Sequence, residues 1–250
     1  MRLTNRGFLF ALAAVAGYLI GALSFARIVA RLFSPHTDMS RSLEVTVPDT
    51  DVKVQSEVIS ATTVRLRLGA RYGCLTSVLD MVKVALPAYI IRRRWPDEPL
   101  YLVFATAGTV GHNWPVYHKF RGGRGLSPIL GGMIVMDWPG TVVSNNLGFL
   151  LGYPVKNSLI ITGGGIVLML PWTLWRSRDP LKVSYVLLMN VLFWSSMRPE
   201  LREYARLRRE GKLKDFREAR AYRIIGVDGE VREDTLTIAN LQQRIREQFR

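Results

Sequence analysis

The residues best suited to chemistry in this 250-residue sequence lie in one stretch, GHNWPVYHKFRGGRG, residues 111–125. Gly122, Gly123 and Gly125 are interleaved with Arg121 and Arg124, and Lys119 stands just ahead of them. Glycines let backbone N–H groups approach an anion closely while guanidiniums neutralise it, so the pattern is that of a phosphate-binding loop. It lacks the Lys-Ser/Thr pair of the Walker loop, and it lacks the strand and helix flanks of the dinucleotide fingerprint. His112, three residues ahead of Pro115, has two readings: a hydrogen-bond donor near the loop, or a helix-end residue bonded to backbone.

The elements that must position this loop are apolar. The chain is 48% hydrophobic with a mean hydropathy of +0.12, yet its formal net charge is +14. A polytopic membrane protein explains both properties together. Residues 8–26 contain no charge and approach the roughly 20 residues that a spanning helix needs. The competing reading is a cleaved signal peptide, since Arg2 and Arg6 precede the run, but the later apolar runs weigh against it. Those runs lie near 74–91, 100–117, 126–136, 142–153, 158–175 and 183–194, so hydropathy alone supports about five to seven spans.

Two polar regions flank these runs. Between the first two spans, valines alternate on both sides of Pro48-Asp49-Thr50-Asp51, which predicts a short β-hairpin. After the last run, residues 198–223 are rich in arginine with scattered apolar residues, as expected of a solvated helix or of one lying on anionic lipid headgroups; nucleic-acid binding is disfavoured. Cys74 is the only cysteine, and the three histidines form no zinc-binding pattern, so neither a structural metal nor a cofactor is expected. Asp80 and Lys83 share one face of the second span as a buried pair whose expected role is structural.

Taken together, several blocks resemble the bacterial membrane glycerol-3-phosphate acyltransferases that use acyl phosphate as donor. GYLIGALSFARIVARL is similar to that family's opening G-Y-L-L-G-S-I-P-F segment. QSEVISATTVRLRLGARYGCLTSVLDMVK resembles its G-S-G-N-x-G-A-T-N-V-x-R stretch and the L-D-x-x-K that follows. The glycine loop resembles G-H-x-F-P followed by F-K-G-G-K-G, and YPVKNSLI faintly resembles a later serine-bearing helix start. The order and spacing of the blocks along residues 17–200 carry the resemblance.

The resemblance implies an all-α membrane bundle of about seven transmembrane helices, with a β-hairpin-like insertion and a basic tail. Residues 1–197 would form the membrane unit, with 34–71 as its polar cytoplasmic loop, and 198–250 the cytoplasmic tail. It also implies a multi-pass protein of the bacterial inner membrane whose active site faces the cytoplasm. Ser56, His112 and Arg124 would be catalytic, and Lys119, Arg121, Gly122, Gly123, Gly125, Arg65, Arg67 and Ser158 would hold substrate phosphate. Glycerol-3-phosphate, acyl phosphate and membrane lipids are the implied partners; protein partners are left open. Several positions depart from the family pattern. Glu57 and Val58 follow Ser56, Leu66 takes the place of an arginine between Arg65 and Arg67, and Arg124 replaces lysine. The family's R-H-x-E-N-I is reduced to the stretch Ser196 to Leu201, without its histidine and asparagine. These departures also admit a second reading, a non-catalytic relative that binds phosphorylated lipid or a lipid precursor.

Overall fold

The computed structural model describes residues 3–36, 43–48, 50–56, 58–219, 222–225, 231–234 and 237–248. Its helices are α1 (Leu3–Gly21), α2 (Phe25–Phe33), α3 (Ala61–Leu68), α4 (Ala70–Arg94), α5 (Leu100–Asn113), α6 (Leu126–Gly152), α7 (Ser158–Arg176), α8 (Pro180–Ser196), α9 (Arg198–Arg209), α10 (Leu213–Glu218) and α11 (Ile238–Gln248). Among the described residues, four stretches are long and apolar enough to cross a membrane: Arg6–Phe33, Ala70–Arg94, Leu126–Gly152 and Ser158–Arg176.

Side-chain placement agrees with a membrane environment. Phe8 and Leu12 of α1, Leu86 of α4, Leu150 of α6, Trp175 of α7 and Val191 of α8 all face outward, whereas Thr76, Asp80 and Lys83 of α4 are buried. Water would penalise that surface, but an apolar solvent does not. With lipid outside, helices gain by close approach rather than by hiding apolar area, so small residues mark the contacts. At the α1–α5 crossing, a Cβ on Gly21 would collide with the Gly108 carbonyl, whose carbon would lie 2.6 Å away. The chain is an all-α integral membrane protein with a small sheet.

The apolar runs over 126–136 and 142–153, expected as separate spans, belong to the single element α6, which turns back on itself at Asp137 (φ −155°, ψ 91°). Its first half runs alongside α4 in the same direction: Ser127 Oγ lies 2.8 Å from Ser77 Oγ, and Arg92 donates to the Val135 carbonyl. Its second half runs against α7, with Gly140 facing Trp172, Gly148 facing Gly165 and Gly152 facing Ile161. Asp137 makes the turn possible. Its Oδ1 accepts from the Gly140 N–H (3.2 Å), capping the second half, and its Oδ2 accepts from Trp172 Nε1 (3.0 Å). Arg92, whose charge lies among the arginines at the end of α4, is drawn onto the last carbonyls of the first half.

The expected hairpin forms: β1 (Leu43–Thr46) pairs antiparallel with β2 (Lys53–Ser56), although Asp49 of its turn lies outside the described residues. The tail adds β3 (Tyr222–Ile225) and β4 (Val231–Asp234), giving one antiparallel sheet in the order β2-β1-β3-β4. Val47 and Val52 pack with Leu207 and Ala219, and Lys212 Nζ lies 2.7 Å from Asp51 Oδ2. The hairpin strands β1 and β2 and the tail strands β3 and β4 therefore build one sheet together, which hydropathy gave no reason to expect.

Candidate active site

The loop after α5 is shaped by close approach to the end of that helix. Lys119 (φ 53°) and Phe120 (φ 59°) both adopt left-handed backbone, reversing the chain after the 3-10 turn Val116–His118. Phe120 N–H then donates to the Pro115 carbonyl (3.0 Å) and Gly123 N–H to the His112 carbonyl (3.1 Å). A Cβ on Gly123 would fall against the His112 imidazole, with Cε1 at 2.9 Å and Nε2 closer. Gly125 is doubly constrained, by φ 79° and by Asn113 Oδ1, which would lie 2.6 Å from an added Cβ. Among the described residues, the N–H groups of Gly122, Arg124 and Gly125 find no acceptor, and α6 begins at the next residue. Free N–H groups beside a helix N-terminus form a concave donor set that suits an anion.

Two other segments meet this loop. Ile59 N–H donates to the Gly122 carbonyl (3.4 Å), joining the stretch after β2 to the glycines. Ser56 ends β2 with its backbone opposite Leu43, and its side chain lies outside the described residues. Arg65 and Arg67 occupy the last turn of α3, half-buried, with the Arg65 Cβ close against Gly73 of α4. From the far end of the sequence, Glu200 Oε1 accepts from Arg124 Nε (2.6 Å) and the Ser196 carbonyl from Arg124 Nη1 (2.6 Å), while Ser196 Oγ donates to the Arg124 carbonyl (2.8 Å). Burial pushes the Glu200 carboxyl above the usual carboxylate range, opposed by Arg124. The Arg124 guanidinium is likewise pushed down by burial, opposed by Glu200, and it stays charged.

All three meeting segments fall within the reach of one known family. Its model, described as glycerol-3-phosphate acyltransferase, matches residues 11–206. The chain belongs to the glycerol-3-phosphate acyltransferase family. A relative of that name from Dinoroseobacter shibae is 30% identical over 193 residues, covering 77% of this chain and 87% of its own. Another, from Pseudomonas entomophila, is 26% identical over 182 residues, covering 72% and 88%. The crystal structure of PlsY, an integral membrane glycerol 3-phosphate acyltransferase, in its glycerol 3-phosphate form shares the fold, with a TM-score of 0.65 at 20% identity over 81% of this chain and 93% of that one.

In this acyltransferase-family chain the expected residues are distributed unevenly. His112, Gly122, Gly123 and Gly125 come together, Arg124 stands between the last two glycines with its guanidinium on Glu200 and Ser196, and Lys119 and Arg121 sit exposed on the loop's outer side. The Arg121 carbonyl accepts from Arg27 Nη2 (3.2 Å), so α2 also braces the loop. Ser158 is held elsewhere: its Oγ lies 2.7 Å from the Tyr204 hydroxyl of α9, beside the Asn157 cap of α7. Burial raises the Tyr204 hydroxyl, and its bond to Ser158 opposes that.

Other residues gained importance only from the fold. Asn113 is 4% exposed, and beneath Gly125 its amide nitrogen and oxygen have no partner among the described residues. Nothing in the sequence pairs Glu200 with Arg124, 76 positions earlier. Asp80 and Lys83 were legible as a pair, but the contact from Lys83 Nζ to His112 Nδ1 (3.1 Å) joins residues 29 apart in sequence.

Proposed function

We propose that this chain transfers a fatty acyl group from acyl phosphate to glycerol-3-phosphate, producing lysophosphatidate. The observation that carries this reading is the set of open N–H groups on Gly122, Arg124 and Gly125, framed by cationic residues at the start of α6. An acyl phosphate is already a mixed anhydride, so no catalytic triad is required. The glycerol hydroxyl attacks the acyl carbon, the C–O bond to phosphate breaks, and the hydroxyl proton leaves with the phosphate product. The protein's work is to align the two substrates and to stabilise charge on the departing phosphate.

In this reading the glycine loop, Arg124 and His112 hold phosphate oxygens, with Lys119 and Arg121 at the entrance. Ser56, Arg65 and Arg67 are assigned to the acceptor's side on the strength of the Ile59–Gly122 contact. Ser158, bonded to Tyr204, acts in orienting the α7 start against the tail.

The same proposal includes seven spans: α1, α4, α5, the two halves of α6, α7 and α8. The polar loop, the glycine loop and the tail then share one face, taken as cytoplasmic in a bacterial inner membrane, and residues 92–94 fall on the other. The membrane unit would end near residue 197, with the tail from 198 packing on the polar loop.

The test is lysophosphatidate formation and phosphate release by purified, lipid-reconstituted protein given acyl phosphate and glycerol-3-phosphate. Turnover that falls about 10²-fold or more in Arg124→Ala supports the assignment. A folded parent that binds glycerol-3-phosphate without turnover overturns the enzymatic reading in favour of a phosphorylated-lipid binder.

A further inference from the structure

Lys83 is the most enclosed cation in the site region, with a side chain 3% exposed. Its ammonium carries three protons and meets three acceptors: the Leu23 carbonyl (2.7 Å) at the break between α1 and α2, Asp80 Oδ1 (2.7 Å) and His112 Nδ1 (3.1 Å). An ammonium has no lone pair, so Nδ1 must supply one. A proton on Nδ1 would face the Lys83 protons at that distance, and the alternative Nδ1 partner, Asp80 Oδ1, is farther away at 3.5 Å. The ring proton therefore sits on Nε2. That nitrogen is the His112 atom nearest the position of a Cβ on Gly123, and His112 lines a narrow cleft with Leu23, Ile59, Asp80, Gly122 and Gly123.

We infer that Lys83, anchored by Asp80 and the Leu23 carbonyl, fixes His112 as the neutral Nε2–H tautomer, so that His112 donates a hydrogen bond to an anionic oxygen bound at the glycine loop. This rests on reading that loop as the phosphate site. His112 is thereby a donor rather than a general base, since its one lone pair is taken by Lys83. Lys83 is a positioning residue that acts through His112, and Asp80, which itself lines the cleft, holds the Lys83 ammonium in place. The device also explains why an ammonium and a carboxylate are retained inside an apolar bundle, where a charge without partners is costly.

Glutamine places its amide nitrogen near the position of Nε2, and asparagine places its own near Nδ1. In reconstituted full-length protein, His112→Gln is expected to keep kcat within about tenfold of the parent, while His112→Asn loses about 10²- to 10³-fold, the effect of removing one oxyanion donor. Asparagine matching or exceeding glutamine overturns the inference.

A second measurement does not depend on turnover. Nitrogen-15 NMR of histidine-labelled protein in detergent, with His112 assigned by its loss in His112→Gln, should show the Nε2-protonated tautomer. In the charge-free pair Asp80→Asn with Lys83→Met, checked for folding by size exclusion, the tautomers should mix. An Nδ1-protonated or imidazolium signal in the parent, or an unchanged signal in the double variant, overturns the inference. If the parent shows no acyl transfer but carries the fixed tautomer, the enzymatic reading fails and the device at His112 stands.

Discussion

The substitution Gly123→Ala probes the loop most directly. The added methyl would meet His112 at 2.9 Å (Cε1) and 3.0 Å (Cδ2), with Nε2 nearer still. Ordinary carbon contacts begin near ~3.5 Å, so ring and loop must separate by about 1 Å. The ring cannot yield cheaply, because turning it breaks the 3.1 Å contact between Nδ1 and the buried Lys83 ammonium. The loop therefore moves, carrying the Arg124 and Gly125 N–H groups with it. Gly123 has no left-handed φ, so the methyl brings no backbone strain.

Two effects follow from that movement. Overpacking costs about 1–3 kcal/mol of stability. A displacement of about 1 Å at a site that works by positioning costs about 10²-fold in kcat/KM. The assay is phosphate release from acyl phosphate in lipid-reconstituted protein, with thermal unfolding in detergent beside it. Gly7→Ala is the control, because nothing lies within 4 Å of a Cβ there: it should leave kcat/KM unchanged and should not lower stability, since alanine favours the helix. Retention of kcat/KM within about threefold in Gly123→Ala would refute the argument that this glycine is set by its approach to His112 and that the loop must stay where it is.

Four further outcomes are expected. Glu200→Gln removes the charged acceptor of Arg124 Nε and should lower activity and cost about 1–3 kcal/mol, read by thermal unfolding. Gly21→Ala, at the α1–α5 crossing, should destabilise by about 1–3 kcal/mol in the same assay through collision with the Gly108 carbonyl. Leu207→Ala opens a cavity among Val47, Val52 and Ala219, costs about 2–5 kcal/mol locally, and should speed amide exchange in β1 and β2 although the substitution lies in α9. The His118 imidazole is held below its ordinary 6.5, by burial first and then by Arg27 and Arg31. The unfolded chain thus takes up this proton at a higher pH than the folded one. Stability should fall as pH drops through 6.5 toward the depressed value, and His118→Gln should remove that slope in unfolding curves.

Much of the membrane fold was legible because its signal is local. Runs without charge mark helices that cross lipid, since every backbone polar group there must be satisfied within its own segment. Glycine interleaved with arginine marks an anion loop because glycine allows close backbone approach and the basic residues supply charge. The valines around Pro48 marked the hairpin through their period of two. In each case the cause acts over a few residues, and a few residues suffice to show it.

Local patterns along the chain, then, marked out an apolar helical bundle with a basic, glycine-rich loop and blocks in the order of an acyltransferase family. Tertiary structure decided what those blocks touch. Asp137 turns α6 into two antiparallel halves through a cap and a Trp172 contact 35 residues away. Arg124 is oriented by Glu200, 76 positions later, and His112 by Lys83, 29 positions earlier. The loop hairpin and the tail share one sheet through β1 and β3, far apart in the chain. Such pairings rest on distance in space, and spacing along the chain does not encode which buried charge will meet which ring. The tautomer of one histidine therefore had to wait for the folded bundle.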